Sequence, residues 1–333
     1  MPTAVAADAR ALFLACCLAA GASAPLLAQE SSIAARSAVW RADHHLHVAS
    51  PDICARLGDC VDAHDPAIVS ADDVIAALDA ASIGRGVVFS SAYLYGLPAL
   101  GLDAGEIAQR VRQENTFTAA EVTRAAGRLV GFLSVDPLAA SAIAELEAWR
   151  GSEVLVGLKL HFTASAVDIH DADHRERVVA VFQTAAGQGM PIAVHIGGGD
   201  FGSVEARIVI ESVLPHAGKS IVQVAHAGGG YPFRLDHHAD ILNLFAEYIA
   251  ADDPRTRRVL FDLSYVPAPE ERPDTVAALS EAMRRIGVER FLFGSDYNVL
   301  SPAAQVAALT RLQLTEDEMR ILRVNCAPWV CTD

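Results

Sequence analysis

Seven short apolar runs rich in β-branched residues, with one further short segment ahead of them, alternate along this chain with longer stretches whose apolar residues recur at helical spacing. The runs are Ala38 to Asp43, Val87 to Phe89, Leu129 to Val135, Val154 to Leu160, Ile192 to His195, Ile221 to His226, Val259 to Ser264 and Phe291 to Ser295. Stretches such as Asp72 to Ala81, Glu106 to Ala126, Val204 to Pro215 and Thr275 to Ile286 separate them. A strand that is apolar on both faces must be covered on both, as in a parallel sheet flanked by helices. Eight such units predict an α/β fold closed into a (β/α)8 TIM barrel, and 333 residues suit one domain of that kind. An open doubly wound sheet is the alternative. The glycine-rich nucleotide fingerprint expected after its first strand is missing, however, and His45-Leu46-His47 stands there instead.

The residues before the first run read differently. Arg10 precedes the apolar segment Ala11 to Leu27, small residues follow, and Ala28-Gln29 offers a cleavage point. Residues 1–28 are therefore expected to be a signal peptide, and residues 29–333 the mature barrel domain, secreted or periplasmic. Pro25 and the small residues keep the segment shorter than the ~20 residues that cross a bilayer, so no stable membrane insertion is expected after the leader is removed. Cys54 with Cys60 and Cys326 with Cys331 form two close pairs, which in an oxidising compartment suit two short-loop disulfides; reduced thiols near the surface are the alternative. A net charge of -15 with no basic run disfavours nucleic acid as a partner. A small-molecule substrate fits better, and a homo-oligomer is compatible.

Where the polar residues fall is more specific than the composition. His45 and His47 follow the first run, Lys159 and His161 end the fourth, His195 the fifth, His226 the sixth and Asp296 the eighth. In a barrel the carboxyl ends of the strands converge on one face, so these residues would surround one cavity. Histidines two apart on an extended segment point the same way and can both offer a nitrogen to one ion; a polar loop enriched by Asp43 and His44 is the plainer reading of such a pair. His195 could be a structural histidine with both ring nitrogens satisfied. A carboxylate at Asp296 needs a cation or several donors to offset its desolvation, unless it caps the following helix. His226 could serve only as the residue before the turn Gly228-Gly229-Gly230, a turn read as room for loops and ligand.

Taken in order, several motifs are similar to those of the amidohydrolase superfamily, in the branch that includes aminocarboxymuconate-semialdehyde decarboxylase. They are Asp43-His-His-Leu-His, Val111-Arg-Gln-Glu-Asn, the stretch from Arg128 to Pro137, Gly157-Leu-Lys-Leu-His, Ala193-Val-His, Val224-Ala-His-Ala-Gly-Gly and Phe293-Gly-Ser-Asp-Tyr. The resemblance spans nearly the whole mature chain. It implies one divalent ion bound by His45, His47, His195 and Asp296, with His226 beside it as an acid, base or carbonyl-polarising group and Asp296 also able to take a proton. Three neutral imidazoles and one carboxylate leave an ion positive enough to bring the pKa of water at its open position toward neutrality. Zinc is the first expectation among several metals that suit imidazole and carboxylate.

In binuclear relatives a lysine ending the fourth strand is carboxylated and bridges two ions, but here Lys159 is expected to stay unmodified and to meet a carboxylate or the substrate. His161 and Arg234 are open as substrate or second-metal contacts. The expected activity is hydrolysis of an ester, lactone or amide through metal-activated water. Non-oxidative decarboxylation or hydration of a small carboxylic acid is the alternative, with Arg85 and Arg234 the nearest candidates for a carboxylate clamp. A non-catalytic metal- or ligand-binding barrel is the third reading.

Overall fold

Eight parallel strands pair in sequence order: β1 (Asp43–Val48), β2 (Gly86–Ser90), β3 (Leu129–Ser134), β4 (Leu155–His161), β5 (Ile192–His195), β6 (Val222–Val224), β7 (Val259–Asp262) and β8 (Phe291–Leu292). The structure, a computed structural model, describes residues 39–58, 68–198, 201–229, 235–268 and 271–331. The expectations for the leader, Cys60 and Arg234 lie outside the described residues. The ring closes between β8 and β1, where the amide of His44 donates to Phe293 O (2.9 Å), that of Asp296 to His45 O (2.8 Å) and that of His47 to Tyr297 O (2.6 Å). The chain is a (β/α)8 TIM barrel, as the alternation of runs requires. Among the described residues no helix is long and apolar enough to cross a membrane.

Strand alternation sorts the buried residues into two layers. Leu46, Val48, Leu133, Leu158 and Leu160 join the layer between strands and helices, whereas Phe89, Phe132 and Ala193 pack inside the barrel with Val330 from the carboxyl terminus. Residues Ala327 to Cys331 stopper the amino-terminal end of the barrel. The amide of Ala327 donates to His44 Nε2 (3.1 Å), Arg85 Nη1 donates to Val330 O (2.7 Å), and the Trp329 ring lies 5.8 Å from that of Phe132. Cys326 and Cys331 are joined, with Cα atoms 6.0 Å apart. Arg85 is thus held at the end opposite the strands' carboxyl termini, which removes it as a carboxylate clamp.

Helices fill the connections, and the first three, α1 (Pro51–Leu57), α2 (Ala71–Ala80) and α3 (Ala104–Arg124), fix the loops over the carboxyl ends. Buried side chains of α3 cap the other two. The Glu114 carboxyl takes the amide of Ser50 (2.9 Å) and its hydroxyl, and Glu121 takes the amide of Ala71 (2.7 Å). Asn115 exchanges two hydrogen bonds with the backbone of Ser134, each 3.0 Å. The Val111-Arg-Gln-Glu-Asn motif is therefore a clamp on the tops of β1 and β3.

Two expectations need correcting. The first strand is Asp43–Val48 rather than Ala38 to Asp43, so His45 and His47 lie on it and not after it. Four polar residues in six read as loop, yet all six are buried because the neighbouring strands supply their partners. The stretch Val204 to Pro215 is broken into an α-helix (Ser203–Ile208), a wider turn (Val209–Val213) and a 3-10 turn (Leu214–Ala217). Pro215 has no amide proton to continue the helix.

Candidate active site

Period-two alternation turns His45 and His47 into the barrel, where their Nε2 atoms each lie 3.3 Å from Asp296 Oδ1. These three donor atoms sit within 4.8 Å of one another. Asp296 reaches that point from a left-handed backbone (φ 68°) pinned to β1 by its amide. Such a conformation is strained in a residue with a Cβ and is held by the surrounding bonds. His226 is likewise left-handed (φ 52°), in the turn that ends β6.

The remaining histidines continue around the same rim. The His226 ring lies 4.7 Å from that of His45 and 4.7 Å from that of His195. His195 stacks on His161 at 3.8 Å with planes 14° apart, and Tyr93 covers the other side of His161 at 4.9 Å. His195 does not share the tight triangle formed by His45, His47 and Asp296. Its ring nitrogens have no hydrogen-bond partner among the described residues. Lys159 is the sole fully buried Lys or Arg among the described residues; its Nζ is 3.4 Å from His45 Nε2 and 4.6 Å from the centre of the Phe89 ring. The structure thus brings together every site residue singled out in the sequence except Arg234, which lies outside the described residues.

Three residues escaped the sequence reading. Asp262, at the end of β7, takes hydrogen bonds from His45 Nδ1 (3.1 Å), Gln223 Nε2 (2.6 Å), the amides of His226 (3.0 Å) and Ser264 (3.2 Å), and the Ser264 hydroxyl (2.5 Å). A signal was present, because a carboxylate ending the apolar run Val259-Leu-Phe has the same need for partners that singled out Asp296. Gln223 and Ser264 carry no such mark. A Cβ on Gly197 would stand 2.3 Å from the backbone of Gly229, so these two glycines, after β5 and β6, meet backbone to backbone.

Burial decides the charge of the imidazoles. It pushes the His45 imidazole down to about 3, with Lys159 acting the same way against the pull of Asp262 and Asp296. His47, His161 and His195 are shifted the same way, first by burial, and present neutral nitrogens. Burial opposes ionisation of Asp262 and Asp296, but the adjoining imidazoles and hydrogen bonds outweigh it and hold both carboxyls well below the usual range. Burial lowers Lys159 to about 8. Neutral imidazole nitrogens facing an ionised, buried carboxylate are a donor set that suits a divalent cation.

A family model described as Amidohydrolase matches residues 42–325. No curated protein matches the chain. Solved structures share the fold. The 5-carboxyvanillate decarboxylase of Sphingomonas paucimobilis is 17% identical with a TM-score of 0.58, over 86% of this chain and 97% of that one. A protein described as a 2-pyrone-4,6-dicarboxylic acid hydrolase of Pseudomonas putida is 16% identical with a TM-score of 0.53, over 85% and 94%. The 5-carboxyvanillate decarboxylase of Novosphingobium aromaticivorans, complexed with manganese, is 14% identical with a TM-score of 0.56, over 88% and 96%.

Proposed function

Because this chain belongs to the amidohydrolase family and is an enzyme of that superfamily, we propose that it is a metal-dependent hydrolase of an ester, lactone or amide bond in a small molecule. The observation that carries this reading is the triangle of His45 Nε2, His47 Nε2 and Asp296. These three, with His195 as the fourth donor, would hold one divalent ion, zinc being the first expectation and manganese, present in one neighbour, the second. Such an ion supplies Lewis acidity, acidifying water and polarising a carbonyl. The ionised Asp296 takes a proton from the attacking water. His226 takes that proton on as imidazolium and passes it to the leaving group, and Lys159, still protonated at neutral pH, meets negative charge on the substrate. A second grouping of possible ligands, His45, His226 and Asp262, is already filled by hydrogen bonds to Asp262, which supports a single ion.

Decarboxylation is the second reading, favoured by neighbours that are decarboxylases. Purified protein loaded with zinc or manganese and offered esters, lactones, amides and aromatic acids separates the two. Release of acid from a neutral substrate without CO2 supports hydrolysis, whereas CO2 from an aromatic acid with no hydrolysis overturns it. Export and a mature start near Gln29 belong to the same proposal, supported by the apolar segment after Arg10. Mass spectrometry of the mature chain should find that start and Cys54 and Cys326 bonded to their near neighbours, and an uncleaved chain with free thiols would contradict it.

A further inference from the structure

Two imidazoles of the site lean on the same corner at the end of β7. His45 Nδ1 lies 3.1 Å from Asp262 Oδ2 and 2.9 Å from Ser264 Oγ. His226 Nδ1 lies 2.9 Å from the carbonyl oxygen of Ser264 and 2.9 Å from the same hydroxyl. An ionised carboxylate and a carbonyl oxygen can only accept. The Ser264 hydroxyl gives its single proton to Asp262 Oδ1 at 2.5 Å, so toward both rings it is an acceptor too. A neutral imidazole in such a seat carries its proton on Nδ1 and its lone pair on Nε2. Asp262 also takes the amide of His226 (3.0 Å) and so holds the left-handed turn from which that ring projects.

We propose that Asp262 is a positioning residue for both histidines. It fixes His45 as the Nδ1–H tautomer, leaving the Nε2 beside Asp296 as a lone-pair donor. With the Ser264 carbonyl it seats His226 in the same tautomer, so that neutral His226 accepts a proton and donates one only as imidazolium. The ligand role of His45 rests on the metal reading above; the two tautomers do not. In Asp262→Asn the amide nitrogen takes the Oδ2 place, because Oδ1 accepts from the His226 and Ser264 amides and the Ser264 hydroxyl, and Gln223 can turn its Oε1, which has no hydrogen-bond partner among the described residues, to meet it by giving up its bond to His44 O (3.1 Å). His45 Nδ1 then faces a donor where the carboxylate stood, with only the Ser264 hydroxyl (2.9 Å) left to accept from it, and the balance moves to the Nε2–H tautomer.

The test is long-range 1H–15N correlation on full-chain, metal-free protein labelled at histidine, with zinc affinity measured by competition against a chromophoric chelator. Wild type should show His45 and His226 both as Nδ1–H. Asp262→Asn should move His45 to Nε2–H, leave His226 unchanged and weaken zinc binding ~10–100-fold, the usual effect of losing a carboxylate behind a ligand histidine. Ser264→Ala should keep both tautomers. An Nε2–H tautomer at either ring of wild type overturns the proposal, and this spectrum decides even if Asp262→Asn fails to fold. So does an Asp262→Asn variant with His45 and zinc affinity unchanged, which would leave Asp262 a purely structural residue. Wild type with both Nδ1–H tautomers and no zinc binding would uphold the positioning role and refute the metal reading.

Discussion

At the scale of single residues, the rule that barrel strands converge at their carboxyl ends made most of the site legible. His45 and His47 on β1 and Asp296, distant in the chain and in the segment that follows β8, meet within 4.8 Å because β1 and β8 are neighbours in one ring. Their substitution separates ligation from proton transfer. His45→Ala and His47→Ala should each lose the bound metal and all turnover, since each removes a donor nitrogen. His195→Ala is more discriminating, because His195 stands outside the tight triangle: metal loss there makes it the fourth ligand, and retained metal makes it a wall of the site. His226→Asn should keep the metal while the rate falls by roughly 10²-fold or more, the loss expected for a group that moves a proton. Lys159→Ala should keep one ion per chain and lose mainly substrate affinity; loss of a second ion in that variant would show a bridging lysine instead. What the sequence concealed are residues that serve other residues. Ser264 looks like an ordinary strand position and Asp262 carries only the mark of a carboxylate that ends an apolar run, and their contacts show that they hold His45 and His226.

The elements explain why β1 was misplaced and why α3 carries buried carboxylates. Apolar periodicity finds strands whose side chains pack against helices, but half of β1 faces the site and is polar, so the pattern pointed one strand-length too early. By contrast β5 has only Ala193 and His195 facing inward and its limits, Ile192–His195, match the sequence reading. On α3, burial raises the Glu114 carboxyl from 4.5 to about 7 even though Ser50 donates to it. A folded-state pKa above the unfolded one means that the folded protein holds the extra proton between those values. The associated stability, of the order of 3 kcal/mol, is complete below about pH 4.5 and is lost as pH rises through 7. Urea unfolding of wild type and Glu114→Gln should therefore show wild type losing stability relative to the variant between pH 5 and 8. A constant difference across that range would mean that Glu114 is already ionised in the fold.

The whole molecule divides its two ends between stability and chemistry, as this fold generally does. The turn Ala327 to Cys331 packs with Phe132 at the amino-terminal end, Phe89 lies between that apolar plug and the site, against His45 and Lys159, and the candidate ligands gather beyond it. Val330→Ala should cost about 2 kcal/mol of stability by leaving a cavity, with metal content unchanged; metal loss in that variant would show that the two ends are coupled. The order and parallel direction of the eight strands were readable in advance because helix and strand periodicities alternate without interruption. The short β8 was not, because the segment from Phe293 to Tyr297 closes the ring through single bonds to β1 and makes no regular ladder. The central claim is one divalent ion held by His45, His47 and Asp296, and elemental analysis of purified wild type beside His45→Ala tests it most directly. Close to one zinc or manganese ion per wild-type chain, and none in His45→Ala, is the predicted result; a metal-free wild type, or a variant that keeps its full complement, would contradict it.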